Sequence, residues 1–549
     1  MGGKRGETGK AGEGPQGATP QAWLQAAAEG GLIGPRGLLQ EEKARGAAQL
    51  LYPSSLCRED GLQYALLRLP GSSGGAGWFA RGRALGIFGS GRGLPRPAEE
   101  FEGEEIAFEH PAAGSGGMRV RFCPLSHANA IALRRVLPFC APSPLARQET
   151  TIGLGDRLGV AGPGHIRTVR LYRASPVLAQ QSVRELELTG RSYEQVLDAS
   201  TWAVFQEGYR HPWGADGDHL KTEEWVRTAL RLGFTMITAD VSDYIRNEYA
   251  GAAGTEVMAH YGRLPESYRR RVEGAYLSLR LKVGEGLAVT FSPETLARTA
   301  LVYGEAIEHA ARLYRAAAEE SPGGRFDFEL SVDETQTPTT PEAHAFVALE
   351  ARAAGLRLSS LAPRFVGEFQ KGIDYIGSVS EFERSLAAHA ALARHFGYRL
   401  SVHSGSDKFS VFPAVGRLTG GRFHLKTAGT SWLEAVKLMA RLEPALYRRL
   451  HRAALERFDA ATRYYHVSTD LARVPSLEGL EDGELPGLFD NPDARQLIHI
   501  TYGELLRDPS LGPELCAALQ RHQEAYWEAL QIHIGRHLST LAVPARKRG

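Results

Sequence analysis

The chain has 549 residues, too many for one ordinary core, and its 64 basic and 63 acidic residues leave a net charge of +1 that offers a nucleic acid or other polyanion no grip. No apolar run approaches the roughly 18 residues of a membrane span, and the start of the chain has no signal-peptide apolar region. The four cysteines (Cys57, Cys123, Cys140, Cys516) are scattered, which argues against a disulfide framework or a zinc knuckle. These totals predict a cytoplasmic protein that acts on a small molecule, without nucleic-acid or membrane partners; a homo-oligomer is left open.

Residues 1–20 are Gly-rich and polar and are expected to be a disordered tail. From 21 to 148 short apolar runs (62–69, 83–88, 118–123) alternate with Gly/Pro/Ser clusters and lead into a helical stretch, 128–136, which reads as a small α+β region. From 149 the pattern becomes short strands alternating with helices. Eight strands are predicted, at 151–155, 177–182, 215–220, 234–240, 326–333, 358–362, 399–403 and 422–427. Helical patterns follow them, for example at 193–207, 223–232, 341–354, 380–395 and 431–442. Eight such units predict a (β/α)8 barrel over 149–445, interrupted after the fourth strand by a largely helical insertion at 242–324. Residues 446–549 read as a helical extension. No internal repeat of fixed period is present, and GxGxxG after a strand, GxxxxGK[ST], GxSxG and HExxH are all missing, which sets nucleotide and NAD chemistry aside.

In such a barrel the chemistry collects at the C-terminal strand ends. The third strand ends on Asp216, Asp218 and His219, with Lys221 following; the fourth ends on Asp240, and the fifth on Ser331-Val332-Asp333-Glu334. The seventh reads Ser401-Val402-His403 and runs on to Lys408; the eighth reads His424-Leu425-Lys426. Alternation puts the polar members of these triplets on one face, and since the outer face is covered by helices the polar set is expected inside. His219, His403 and His424 would then converge from three strands, a set that suits catalytic Zn²⁺, Ni²⁺ or Mn²⁺. Asp218 on one side and Asp333 or Glu334 on the other could divide base and acid duties. The plainer alternatives are that Asp218 caps the following helix and that Glu334 pairs with a barrel lysine. Positive charge is nearly all arginine, 54 against 10 lysines, so Lys221, Lys371, Lys408 and Lys426 stand out as places where a compact ammonium is wanted. Lys221, Lys408 and Lys426, with Asp333, are the candidates for holding substrate.

The runs ETTIGLGDRLGVAGPGHIR (149–167), GADGDHLKTEE (214–224), ELSVDETQTPTTP (329–341), SVHSGSDKFSVFP (401–413) and GRFHLKTAGTSWLEA (421–435) resemble the tagaturonate epimerase family, in order along the chain. The resemblance implies metal-dependent interconversion of D-tagaturonate and D-fructuronate, epimers at C4; some similar proteins convert the neutral ketoses D-tagatose and D-fructose. It places Asp218 as proton acceptor, His219, His403 and His424 as metal ligands, and Glu334 or its neighbour Asp333 as proton donor. The chemistry agrees: the carbonyl of a 2-ketose acidifies C3–H and not C4–H, so inversion at C4 calls for retro-aldol cleavage of C3–C4 after deprotonation of the C4 hydroxyl. A different metal-dependent sugar isomerase or aldolase on the same barrel, and a sugar-binding barrel without catalysis, are the competing expectations.

Overall fold

A computed structural model describes residues 19–34, 38–69, 82–90, 94–109 and 117–547. Residues 1–18, nearly all of the expected tail, lie outside the described residues. The chain divides into two compact units, one of residues 1–141 with 201–209 and one of residues 142–200 with 210–549.

The first unit is built on a five-stranded antiparallel sheet with the spatial order Cys57–Glu59, Leu62–Arg68, Arg83–Ser90, Met118–Cys123, Glu104–Phe108. The helix Pro20–Glu29 starts on a Thr19 cap and buries Trp23 against Phe88 and Phe122. The Trp23 indole N–H donates to the Leu50 carbonyl at 2.8 Å, so the ring's one polar atom is satisfied inside the apolar cluster.

The second unit holds a closed barrel of eight parallel strands: Thr150–Leu154, Ser175–Ser182, Gly214–Leu220, Met236–Asp240, Asp327–Val332, Ser360–Pro363, Arg399–Val402 and Phe423–Thr427. The eighth pairs with the first in register from Phe423↔Thr150 to Thr427↔Leu154, which removes both sheet edges. The barrel is closed at its N-terminal end by the loop before the first strand. Arg399 Nη1 donates to the Leu145 and Gln148 carbonyls, and Asp327 accepts from the Leu145 amide at 2.6 Å.

Insertion and extension both elaborate this barrel. The segment after the fourth strand carries the helices Gly254–Tyr261 and Glu266–Tyr276 and the 28-residue helix Pro293–Glu320. It also contains an antiparallel hairpin, Arg280–Gly284 with Leu287–Thr290, in a stretch expected to be largely helical. The turn residues Glu285 and Gly286 both have positive φ, as a two-residue hairpin turn requires, and Leu281 faces Val289 across the pair. After the barrel come the helices Pro444–Ala461, Pro492–Ile500, Tyr502–Leu506, Leu511–Arg521 and Gln523–Thr540. The last of them lies close against the helix Gly162–Val169 at Gly164, where a Cβ would sit 3.0 Å from the Trp527 Cα. No described helix is long and apolar enough to cross a membrane.

Candidate active site

The third barrel strand sets up the site through one backbone irregularity. Asp216 and Asp218 share its inward face, while Gly217 points out. A Cβ on Gly217 would come within 2.9 Å of Leu220 Cδ1 and 3.1 Å of Ala229 Cβ, so the glycine lets the helix Glu223–Leu232 lie against the strand. Alternation would send His219 outward as well. Instead, pairing with the fourth strand shifts register between Gly217 and Leu220, and His219 takes a left-handed φ of 53°. The imidazole therefore turns back into the barrel beside Asp218, with Nδ1 3.4 Å from Asp240 Oδ2 and Nε2 3.9 Å from Asp218 Oδ1. A left-handed conformation at a residue other than glycine costs about 1–3 kcal/mol and marks functional places. The helix that follows is capped by Thr222, whose hydroxyl accepts from the Trp225 amide, so Asp218 is not its cap.

Lys426 is the hub of the barrel interior. Its ammonium lies 2.6 Å from Asp218, 2.9 Å from Asp216, 3.0 Å from Glu329 and 2.5 Å from the Thr238 hydroxyl, with only 4% of the side chain exposed. Three carboxylates on one ammonium cannot all be balanced. Burial pushes Asp216 up to about 6 against the pull of Lys426. For Asp218 burial acts in the same direction, but Lys426, His219 and His403 outweigh it and hold the carboxyl below its usual range. Glu329 further accepts from Ser360 at 2.6 Å and lies 2.7 Å from His403 Nε2.

His403 sits between two carboxylates, Glu329 on Nε2 and Asp333 Oδ1 at 3.3 Å from Nδ1. Burial opposes a charge there, yet Asp333 and Glu329 raise the imidazole to about 10. Its ring centroid is 5.1 Å from that of His219, whose own proton affinity is raised, against burial, by Asp218 and Asp240. His424 lies one tier deeper on the eighth strand, where Nδ1 meets the Thr151 hydroxyl at 2.8 Å and burial lowers it to about 3. Of the three imidazoles, His424 keeps a buried Nε2 without a hydrogen-bond partner, while Nδ1 of His219 and Nδ1 of His403 face carboxylates, Asp240 at 3.4 Å and Asp333 at 3.3 Å. Ligand atoms of His219, Asp240 and Glu334 all lie within 4.8 Å of one another.

These groups open into a cavity of about 290 Å³ at the barrel's C-terminal mouth. Asp218, His219, Asp333, Glu334, His403 and Lys426 line it from the strands, and Tyr464, Tyr465 and His466 line it from the extension. A second group of barrel and extension residues, Asp407, His533 and His537, is also close-set, but it is already satisfied. His537 Nε2 accepts from the Asp407 amide and Nδ1 donates to the His533 carbonyl, while Asp407 is paired with Arg495 at 2.7 Å and His533 at 2.5 Å.

Among known families, the sequence model described as tagaturonate epimerase matches residues 97–541. The chain belongs to the tagaturonate epimerase family. It is thereby an isomerase of the epimerase class. A tagaturonate/fructuronate epimerase from Thermotoga maritima is 44% identical over 427 residues, 77% of this chain and 87% of that protein. Two crystal structures of the fructuronate–tagaturonate epimerase UxaE from Cohnella laeviribosi, one native and one complexed with one glycerol, superpose with TM-scores of 0.83 at 48% identity. Each comparison covers 91% of this chain and 98% of the other.

Within this epimerase the residues singled out from the sequence separate into three sets. Asp218, His219, Asp333, Glu334, His403 and Lys426 meet at the cavity. His424 stands beneath it. Lys221 and Lys408 lie away from it: Lys221 pairs with Asp243 at 2.7 Å in a 43% exposed position, and Lys408 is buried with its ammonium on the backbone carbonyls of Gln370, Ile373 and Ser406. Asp333 is engaged by His403 and Ser331, while Glu334 makes no ion pair among the described residues. Sequence reasoning gave Asp240, Glu329, Gln180 and Arg157 no role. Glu329 carried a legible signal, since Glu329, Ser331 and Asp333 continue one inward face. The lining from Tyr464 to His466 carried none, because nothing local ties that loop to the barrel mouth.

Proposed function

We propose that this epimerase inverts C4 of ketohexuronates, interconverting D-tagaturonate and D-fructuronate, by retro-aldol and aldol chemistry with a divalent cation, Zn²⁺, Ni²⁺ or Mn²⁺. The observation that carries the reading is the left-handed bulge at His219. It sets the Asp218 carboxylate, held below its usual range by Lys426, and an imidazole side by side, facing Asp333 and Glu334 in one cavity. The names of the similar proteins from Thermotoga maritima and Cohnella laeviribosi support the substrate pair.

The donor set fits a cation. Ligand atoms of His219, Asp240 and Glu334 lie within 4.8 Å of one another, and His424 keeps an unpartnered buried Nε2 beneath them; among the described residues His403, held between Glu329 and Asp333, does not join that close-set group. The surrounding carboxylates, which outnumber Lys426 and raise the proton affinity of His219 and His403, favour a positive charge there. When bound, a divalent cation would acidify the substrate's hydroxyls and polarise its carbonyl.

The chain's own residues then have definite roles. Asp218 takes the proton from the C4 hydroxyl. Its carboxylate is kept ionised and oriented by Lys426 on Oδ1 and by Gln180, whose amide donates to Oδ2 at 3.3 Å. Collapse of the alkoxide breaks C3–C4 and leaves an aldehyde at C4 and an enediolate over C2–C3. Rotation of the aldehyde presents its other face, C3–C4 re-forms, and Glu334 supplies the proton to the new C4 oxygen. The residues of the mouth, Tyr464 to His466, hold the two fragments together against loss to solvent.

The test is a C4-epimerisation screen of D-tagaturonate, D-fructuronate, D-tagatose and D-fructose with defined divalent metals, run in D₂O. Inversion at C4 without deuterium at C1 or C3 is expected. Deuterium at C1 points to an isomerase, release of three-carbon fragments to an aldolase, and no turnover with any metal to a binding protein.

A further inference from the structure

The cavity has a second set of side chains that the chemistry at C4 does not use, and they are cationic. Lys371 and Arg157 line it, with Arg184 and His499 beside them. Arg157 is 2% exposed, stacked 3.7 Å over the Tyr502 ring, and bound to Glu185 through Nε at 3.1 Å and Nη2 at 2.8 Å. Its Nη1 is buried and has no hydrogen-bond partner. The Lys371 ammonium donates to the Ser404 hydroxyl at 3.0 Å, and among the described residues no carboxylate lies within ion-pair distance of it. Arg157 already has its anion in Glu185, whereas an ammonium left without one at the wall of the cavity is costly unless an anion arrives.

The backbone that carries Lys371 is held at every carbonyl. Lys408 donates to the carbonyls of Gln370 at 2.9 Å and Ile373 at 2.6 Å, Gln496 to that of Lys371 at 3.1 Å, and Arg495 to that of Gly372 at 2.5 Å. Gly372 has a φ of 79° and its Cβ would lie 3.0 Å from His499, so the turn is fixed by close packing as well. Four fixed carbonyls occupy three polar side chains on one short loop. Such support is what a binding group needs to be held in place before its ligand comes. It also accounts for Lys408, which builds the loop while Lys371 faces the cavity.

We propose that Lys371 is the receptor for the substrate's carboxylate, so that this epimerase selects uronates over neutral ketoses. The inference rests on the ketohexuronate reading and deepens it. The Lys371 ammonium on a carboxylate forms a charge-assisted hydrogen bond in a water-poor site, while the C6 hydroxyl of a neutral ketose would leave that charge unmatched.

The test uses the full chain as purified and two inert six-carbon probes, D-galactonate and galactitol, measured by calorimetry, with D-tagaturonate and D-tagatose turnover alongside. Wild type is expected to bind galactonate about 10- to 100-fold better than galactitol. Lys371→Met should abolish most of that preference while leaving the melting temperature near that of wild type. Lys371→Gln keeps a donor for Ser404 and removes only the charge, so it should do the same even if the methionine variant folds poorly. Lys371→Arg should retain part of the preference. In turnover, Lys371→Gln should raise KM for tagaturonate and leave tagatose within about threefold. A charge preference that survives in folded Lys371→Gln, or equal losses on both substrates, would overturn the receptor. Galactonate preference in a protein that epimerises neither ketose would keep the receptor and remove the reaction.

Discussion

Replacing Lys426 by methionine removes the one ammonium that ties Asp216, Asp218 and Glu329 together. The side chains of Asp216 and Glu329 are 0% exposed and that of Asp218 6%, so water cannot take over the role of the ammonium. Breaking a buried ion pair at one partner costs about 3–5 kcal/mol, because a charge is left buried and unmatched. Here three carboxylates are left, so the upper part of that range is expected. The cost should shrink at low pH. Asp216, already pushed up to about 6, has a folded-state pKa above its unfolded value, so its protonated form stabilises the native state at low pH and that help is lost as pH rises through the folded pKa. The variant should therefore lie closer to wild type at pH 5.5 than at pH 8. Adding Asp216→Asn should recover part of the loss at pH 8 by removing one of the unmatched charges. The assay is urea unfolding of both variants at the two pH values, followed by circular dichroism. A Lys426→Met unfolding free energy within about 1 kcal/mol of wild type at pH 8, or no recovery in the double variant, would refute the account of Lys426 as the hub.

Asp218→Asn should lower kcat for epimerisation by at least about 100-fold with little change in melting temperature, since proton transfer by a placed side chain is worth about 100- to 10,000-fold; a variant with near-wild-type kcat would remove Asp218 as base. Incubation with EDTA should abolish turnover, and added Zn²⁺, Ni²⁺ or Mn²⁺ should restore it; full activity in EDTA would exclude the cation. Gly153→Ala should cut kcat while leaving the barrel folded, because the new Cβ would lie 1.8 Å from Gln180 Oε1 and displace the amide that orients Asp218; unchanged kinetics would show that Gln180 has no part. Finally, burial lowers His165, His389, His451 and His537 to about 4, and holds His344 and His499 well below the ordinary imidazole range. Folded and unfolded states are equally neutral at pH 7. Below about pH 6.5 only the unfolded chain takes up protons, so stability should fall by about 1.4 kcal/mol per pH unit for each imidazole until the native state titrates too. Thermal melts at pH 7 and pH 5 check this, and equal melting temperatures would contradict it.

The barrel was legible because its strands are short polar-ended runs separated by amphipathic helices, and all eight predicted segments overlap the observed strands. The hairpin inside the insertion was not foreseen. Its alternation of Leu281 and Val283 with charged and glycine neighbours spans only a few residues and is flanked by long helical patterns. In the site, periodicity placed His403, His424 and Lys426 inside; His219 was expected with them as a strand-end group, although strict alternation after Asp218 would have turned it out. Only a register shift, which depends on the neighbouring strand, turns it in. Lys408 and Lys371 show the other limit. Both are rare lysines in loops, and nothing in their local sequence says which ammonium meets backbone and which faces the cavity.

The C-terminal helices give the barrel something beyond cover. Gln496 and Arg495, on the helix Pro492–Ile500, hold two of the four carbonyls under Lys371. Farther along, Arg546 donates to the Tyr172 carbonyl and the Arg173 amide to that of Pro544, so the chain after its last helix is stitched to the segment following the first barrel helix. The eight strands can be outlined as a self-contained module, yet the working unit has no such boundary. A fragment cut after the eighth strand and its helix would lose the side chains that hold the loop under Lys371. Engineering of this enzyme, whether by trimming, fusion or circular permutation, has to treat residues 142–200 and 210–546 as one indivisible piece.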